Sequence, residues 1–232
     1  MNAVLFDVGD TLVHSRVHKR DRFCWLCEQA GLPVPADPLA RIRAAQAVER
    51  FFQARQSHPH RLTEAWWIEQ NEIGLEALGL PPYRAGEVYR VHVELPKRHW
   101  IDPEAVPLLT WLRERGYRIG LVSNWDGTLA ASCRALGLSH LVDYVGDSAV
   151  FGSPKPDPAF FHHVLAALGV APDHALHVGD SWGADVVGAQ AAGVSAVLLD
   201  PLDCEERPAD FVIRDLRELY ETVLQWEQGQ EV

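Results

Sequence analysis

The chain has 232 residues, 47% of them hydrophobic and 23% charged, enough for one sizeable core or for one core carrying a smaller inserted domain. Its formal net charge of -11 and the lack of any basic stripe exclude a nucleic-acid surface, which needs clustered Lys and Arg against phosphates. No apolar run approaches the length that crosses a bilayer, and Asp7 comes too early for a signal peptide to precede it, so a cytoplasmic protein is expected.

The first element is the apolar run Val4-Leu5-Phe6, which stops abruptly on Asp7. A buried parallel strand that ends this way delivers a carboxylate to the mouth of an open sheet, where doubly wound proteins bind their ligands, and Asp7 is therefore a candidate nucleophile. From about His14 to Arg98 no strand is expected. Helices are predicted over Arg20 to Ala30, Pro38 to Arg55, Thr63 to Leu78 and Arg84 to Leu95, with start signals at Asp37-Pro38 and Thr63 and stop signals at Gly31 and Gly79. Cys24 and Cys27 form a C-x-x-C, but they share a helical pattern with Phe23 and Leu26 and have no second pair, which reads as helix packing rather than a zinc or redox site. Phe51, Phe52, Trp66 and Trp67 read as core of this helical region or as a partner surface.

From Asp102 onward strands and helices alternate. Asp102-Pro103-Glu104 reads as a helix start, followed by a strand from Tyr117 to Val122, a helix over Leu129 to Leu136 and a short strand at Tyr144-Val145. Asp157-Pro158 opens another helix. A strand from Ala175 to Val178, a helix from Ala184 to Ala192, a strand from Ala196 to Leu199, a strand at Phe211 to Ile213 and a terminal helix over Leu216 to Trp226 complete the series. This succession predicts an α/β core with a mostly parallel, doubly wound sheet, built from residues 1–13 and 99–232, and a helical module over residues 14–98 inserted after the first strand.

Four short segments fall at the ends of predicted strands or just before helices: Asp7-Val8-Gly9-Asp10-Thr11, Ser123-Asn124, Gly152-Ser153-Pro154-Lys155-Pro156-Asp157, and Gly179-Asp180-Ser181-Trp182-Gly183-Ala184-Asp185. In a parallel sheet the carboxyl ends of the strands share one edge, so these segments are expected to converge on one crevice. Their order and spacing resemble the haloacid dehalogenase-like hydrolase superfamily over essentially the whole chain, and the helical insertion resembles that family's cap. The most specific parts are FDVGDTL and GDSWGAD with its following GAQAAG helix. The resemblance implies a Rossmann-like core and phosphatase or phosphotransferase chemistry through an aspartyl-phosphate, with magnesium, on a small phosphorylated substrate. A minority of the family acts on carbon-halogen bonds without metal.

Phosphoryl transfer asks for a nucleophile, a cation against the equatorial oxygens and fixed donors around them. Asp7 supplies the first. Magnesium prefers hard oxygens and takes few carboxylates, so Asp7, Asp180 and the Gly9 carbonyl are expected to hold it, with Asp185 binding through water or orienting the shell. The Ser123 hydroxyl, the Asn124 backbone N-H and the Lys155 ammonium are the expected phosphate donors, and Thr11 bonds locally or touches the phosphate. Trp125 and Trp182, each beside a motif residue, wall the crevice or pack.

The family's usual phosphatases carry, two residues after the nucleophile, an Asp that protonates the leaving group and later activates water; here that place is Gly9, with Asp10 one further along. Either Asp10 reaches in and serves, or Asp7 reacts slowly, or only with good leaving groups, while another group or water relays the proton, or the fold is kept for binding a metal or phospholigand. Haloacid dehalogenation is a further reading, disfavoured by the metal-type GDS segment. Substrate choice is expected from cap residues near the hinges, His14, Arg16, His18 and Arg98, and from the His58-Pro59-His60-Arg61 loop.

Overall fold

A computed structural model describes residues 2–55, 63–96, 98–204 and 207–230. Among them the strands in chain order are β1 (Ala3–Phe6), β2 (Val13–Ser15), β3 (His99–Ile101), β4 (Arg118–Ser123), β5 (Tyr144–Asp147), β6 (Ala175–Gly179), β7 (Ser195–Leu199) and β8 (Phe211–Ile213). Six of these form one sheet in the order β5-β4-β1-β6-β7-β8, with every neighbouring pair parallel. From β1 the chain moves outward through β4 to β5, then returns to β6 on the other side of β1 and continues to β7 and β8. The order therefore reverses between β1 and β6. The crevice at the carboxyl ends of those two strands is where an open α/β sheet places its ligand.

The chain divides into two compact units, one comprising Met1–Val13, Trp100–Pro201 and Arg207–Val232, the other His14–His99 with Leu202–Glu206. The helical unit contains α1 (Lys19–Gln29), α2 (Pro38–Ala54), α3 (Glu64–Ala77) and α4 (Ala85–Glu94); the sheet unit contains α5 (Ala105–Glu114), α6 (Leu129–Ala135), α7 (Ser148–Phe151), α8 (Pro158–Leu168), α9 (Val187–Ala191) and α10 (Leu219–Gln230). Side-chain alternation along β1 explains the layering of the sheet unit. Val4 and Phe6 join one apolar cluster with Leu108 and Leu112 of α5 and Val223 of α10, while Ala3 and Leu5 join a second with Phe160, Phe161 and Val164 of α8. Both faces of β1 are thus sealed, as a central parallel strand requires, and only its carboxyl end is left to meet a ligand.

The helical unit has its own core, in which Phe23, Cys24, Leu26 and Cys27 of α1 pack with Ala44, Leu75 and Val88. Asp37 caps α2 by accepting the Leu39 and Ala40 N-H groups, each at 3.1 Å. Phe51 and Trp66 are buried, their rings 5.2 Å apart, with Trp67 edge-on to Trp66 at 4.8 Å, so these aromatics are core of the unit. Cys24 and Cys27 are buried free thiols whose pKa values burial pushes up, that of Cys27 to about 12. An inert pair follows. At pH 8 a thiol reagent is expected to label neither residue in the folded protein and both after denaturation; rapid native labelling at either would contradict the packing role.

Several elements differ from the sequence expectation, among them α7, which no pattern announces. The pair β2 and β3, which forms a separate two-stranded sheet, was not expected, because three residues are too few to show a period. The helix expected at Asp102 begins at Ala105, because the Asp102 carboxylate accepts the Glu104 N-H at 2.9 Å and closes a turn ahead of it. The stretch expected as one helix over Ala184 to Ala192 opens with a π-helical turn, Trp182–Val186, and only then becomes α9. No helix among the described residues is long and apolar enough to cross a membrane.

Candidate active site

Asp7 directly follows β1, and its N-H extends the ladder to the Val178 carbonyl at 2.9 Å. The chain then folds back tightly: the N-H groups of Thr11, Leu12 and Val13 all point at the Val8 carbonyl, at 3.3, 3.1 and 2.9 Å. Asp10 sits in the left-handed region, with φ 61°, and its N-H donates to the Val13 carbonyl at 2.8 Å. Asp tolerates that conformation better than most residues, which gives Asp10 a turn duty. Gly9 does not need its backbone freedom here, since its φ is not positive, and a Cβ at position 9 would meet only the Trp125 ring, at 3.8 Å.

The neighbouring strand ends bring the other segments to Asp7. Ser123, the last residue of β4, donates its hydroxyl to Asp7 Oδ1 at 3.0 Å, and the Thr11 hydroxyl approaches Oδ2 at 3.4 Å. The Asn124 side chain holds the Lys155 backbone from both sides, its Nδ2 donating to the Lys155 carbonyl at 3.1 Å and its Oδ1 accepting the Lys155 N-H at 2.7 Å. Lys155 is 4% exposed, and Nζ lies 2.6 Å from both Asp7 Oδ1 and Asp185 Oδ1. The side chain of Asn124 thus serves the lysine loop, a role the sequence does not reveal.

Asp180 follows β6, and Asp185 comes back beneath it through the π-helical turn, in which the Asp185 N-H donates to the Ser181 carbonyl at 2.7 Å and the Ser181 N-H to Asp185 Oδ2 at 3.0 Å. Asp185 is 1% exposed. Its side chain fills the space where Gly179 has no Cβ, so any larger residue there collides with it. Gly179→Ala is expected to push that carboxylate aside and to lower the melting temperature, an overpacking cost of about 1–3 kcal/mol; a wild-type melting temperature in this variant would contradict the packing argument.

Among the described residues one oxygen from each of Asp7, Asp180 and Asp185 lies within 4.8 Å of the others, and Lys155 Nζ reaches two of the three carboxylates; Asp10 is not one of that group. Burial raises the Asp7 pKa, assisted by Asp185 and opposed by Lys155. Burial works against the Asp185 carboxylate too, but there Lys155 and His177 prevail and hold the pKa down. Burial likewise disfavours the Lys155 ammonium, yet Asp185 and Asp7 keep its pKa above the ordinary value. Three hard oxygen donors within reach of one another fit a divalent ion such as magnesium.

Of the residues expected from the sequence, Asp7, Thr11, Ser123, Asn124, Lys155, Asp180 and Asp185 come together, and Gly9 and Asp10 lie in the turn beside them. His177 was missed: it lies inside β6 and bonds Asp185 Oδ1 through Nε2 at 2.8 Å. The only signal was a histidine interrupting an apolar strand three residues before Asp180. Trp182 donates Nε1-H to the Pro208 carbonyl at 3.0 Å and lies under the Arg207 guanidinium, which is packing within the sheet unit. Within the helical unit, Arg16 donates to the carbonyls of His92, Leu95 and Pro96 at the end of α4, and His18 accepts the Arg20 N-H to start α1. Residues 58–61 lie outside the described residues.

A sequence profile of the haloacid dehalogenase-like hydrolases matches residues 1–193. The chain is 33% identical to a phosphoserine phosphatase of Thermus thermophilus over 95% of its own length and 98% of that protein's. Among solved structures it resembles a HAD phosphatase from Thermococcus onnurineus, with 26% identity, coverage of 96% and 98% and a TM-score of 0.60. It also resembles a 2-haloacid dehalogenase from Pseudomonas syringae, with 28% identity, coverage of 97% and 99% and a TM-score of 0.56.

Proposed function

The chain belongs to the haloacid dehalogenase-like hydrolases, and from that premise we propose a magnesium-dependent phosphatase that cleaves a small phosphorylated metabolite through an acyl phosphate on Asp7. The observation that carries this reading is the group of three carboxylates, Asp7, Asp180 and Asp185, gathered around a buried lysine at the sheet's switch point. A haloacid dehalogenase would have no use for that metal-type acidic group. The phosphatase names of the Thermus and Thermococcus relatives support the same choice.

In this reading Asp7, Asp180 and the Gly9 carbonyl would hold magnesium, with Asp185 as a further or orienting carboxylate, and the bound ion would supply positive charge against phosphoryl oxygens. Lys155 Nζ and Ser123 Oγ, both now on Asp7 Oδ1, are positioned to turn to the phosphate, with the Asn124 N-H and the Thr11 hydroxyl completing the donors. An Asp7 carboxylate oxygen attacks phosphorus, the P-O bond to the leaving group breaks, and the departing oxygen takes a proton from water. Water then attacks phosphorus, the bond to Asp7 breaks, and phosphate leaves with the carboxylate restored.

Proton handling is the weak point of this chemistry. Position 9 carries no side chain, and Asp10 is held in its turn by the left-handed backbone and the bond to Val13. We therefore assign Asp10 to the turn and expect turnover to favour substrates whose leaving groups need no proton. The helical unit is the proposed source of substrate selectivity, through His14, Arg16, His18 and Arg98 and the 58–61 segment. The test is release of phosphate from 4-nitrophenyl phosphate by purified protein with magnesium, lost on chelation. Magnesium binding without turnover across a panel of phosphate esters would favour a phospholigand-binding member of the fold instead.

A further inference from the structure

His177 is an imidazole in a place built for apolar side chains. It is fully buried in the middle of β6, in register with Leu5 of β1 and Ala196 of β7. Phe161 of α8 meets its ring edge-on at 5.0 Å and fixes the ring plane. Among the described residues Nδ1 has no partner, so the ring's single polar attachment is Nε2 to Asp185 Oδ1 at 2.8 Å. A carboxylate can only accept, so the facing nitrogen carries the hydrogen and Nδ1 is left as a bare lone pair. A buried polar ring kept with one of its two nitrogens unsatisfied costs stability that a leucine would not. That cost points to a duty at the Asp185 end.

We propose that His177 is a positioning residue that fixes the Asp185 carboxylate for the metal and phosphate site. Among the described residues three donors hold Asp185: Ser181 N-H on Oδ2, and Lys155 Nζ with His177 Nε2 on Oδ1. Of these, Lys155 is shared with Asp7 and is the donor that must also serve a phosphoryl oxygen. When the lysine turns away, His177 is the remaining side-chain donor on Oδ1 and keeps the carboxylate from rotating toward Lys155. The Gly179 gap and the Ser181 N-H fix where the carboxylate sits; His177 fixes which way Oδ1 faces.

This inference rests on the phosphatase reading, and its test separates the two. His177→Leu keeps the volume apolar and removes the donor, while His177→Gln restores an N-H close to the Nε2 position. The readouts are magnesium affinity by calorimetry, kcat and KM for 4-nitrophenyl phosphate, and thermal unfolding to confirm folding. Loss of an outer-shell donor weakens metal binding or turnover by about 10- to 100-fold, so His177→Leu is expected to show that loss in magnesium affinity and in kcat with KM little changed, and His177→Gln to recover most of both. If the natural protein neither binds magnesium nor turns over, the phosphatase reading fails. If it does both and His177→Leu matches it, or if His177→Gln and His177→Leu are impaired alike while folded, the positioning role is overturned.

Discussion

Asp7→Asn is expected to abolish turnover and, in metal-free protein, to raise the melting temperature. Removal of a nucleophile costs on the order of 10⁴ to 10⁶ in rate. The stability gain has a separate origin: burial raises the Asp7 pKa, so the ionised carboxylate destabilises the fold, and an amide of the same shape does not. Both Ser123 and Lys155 can still donate to the amide oxygen. The sign follows from the direction of the shift. Below the ordinary carboxylate pKa both folded and unfolded Asp7 are protonated and the variant has no advantage; as pH rises through that value toward the higher folded-state value the natural protein loses stability, and above it the advantage is complete. Thermal unfolding of the two proteins in chelator at acid and neutral pH reads this directly. A lower melting temperature for Asp7→Asn at neutral pH would show that the Lys155 bond outweighs burial.

The second large effect is a gain. Gly9→Asp places a carboxyl where the proton donor of related phosphatases stands, at a position whose backbone is not left-handed and whose new Cβ meets only Trp125 at 3.8 Å. General acid-base help is worth about 10² to 10⁴ in rate, so kcat on an alkyl phosphate is expected to rise by at least about 10²-fold, with a much smaller rise on 4-nitrophenyl phosphate, whose leaving group needs little protonation. Asp10→Asn, which keeps a residue tolerant of the left-handed turn, is expected to change turnover by less than a few-fold. No gain in the first variant together with a loss of 10²-fold or more in the second would move proton handling to Asp10.

Much of the core was legible because local and tertiary signals agree in it. The run Val4-Leu5-Phe6 reads as a strand sealed on both faces, and Asp7 at its end lies at the switch point that the strand order creates. Asp157-Pro158 starts α8 as its cap chemistry dictates, with the Ala159 N-H on the aspartate at 2.9 Å. What was not legible depends on partners distant in the sequence or on very short elements. The strands β2 and β3 have three residues each, below any period. The π-helical turn at Trp182–Val186 reflects the fit of Asp185 into the gap at Gly179, which helix propensity does not encode. Asn124 reads as a backbone N-H donor beside Ser123, while the duty of its side chain, which clamps a loop thirty-one residues away, leaves no local signal. His177 shows in the sequence only as a histidine inside an apolar strand, because its partner comes only after the chain has turned back.

Phosphate passing through Asp7 leaves a covalent trace. Protein quenched during steady turnover of 4-nitrophenyl phosphate with magnesium, then reduced with borohydride and digested, reports it, because an aspartyl phosphate is reduced to homoserine while a free carboxylate is not. Homoserine is expected at position 7, dependent on substrate and magnesium. Sustained phosphate release with position 7 unmodified, or with the reduced residue elsewhere in the chain, would contradict it.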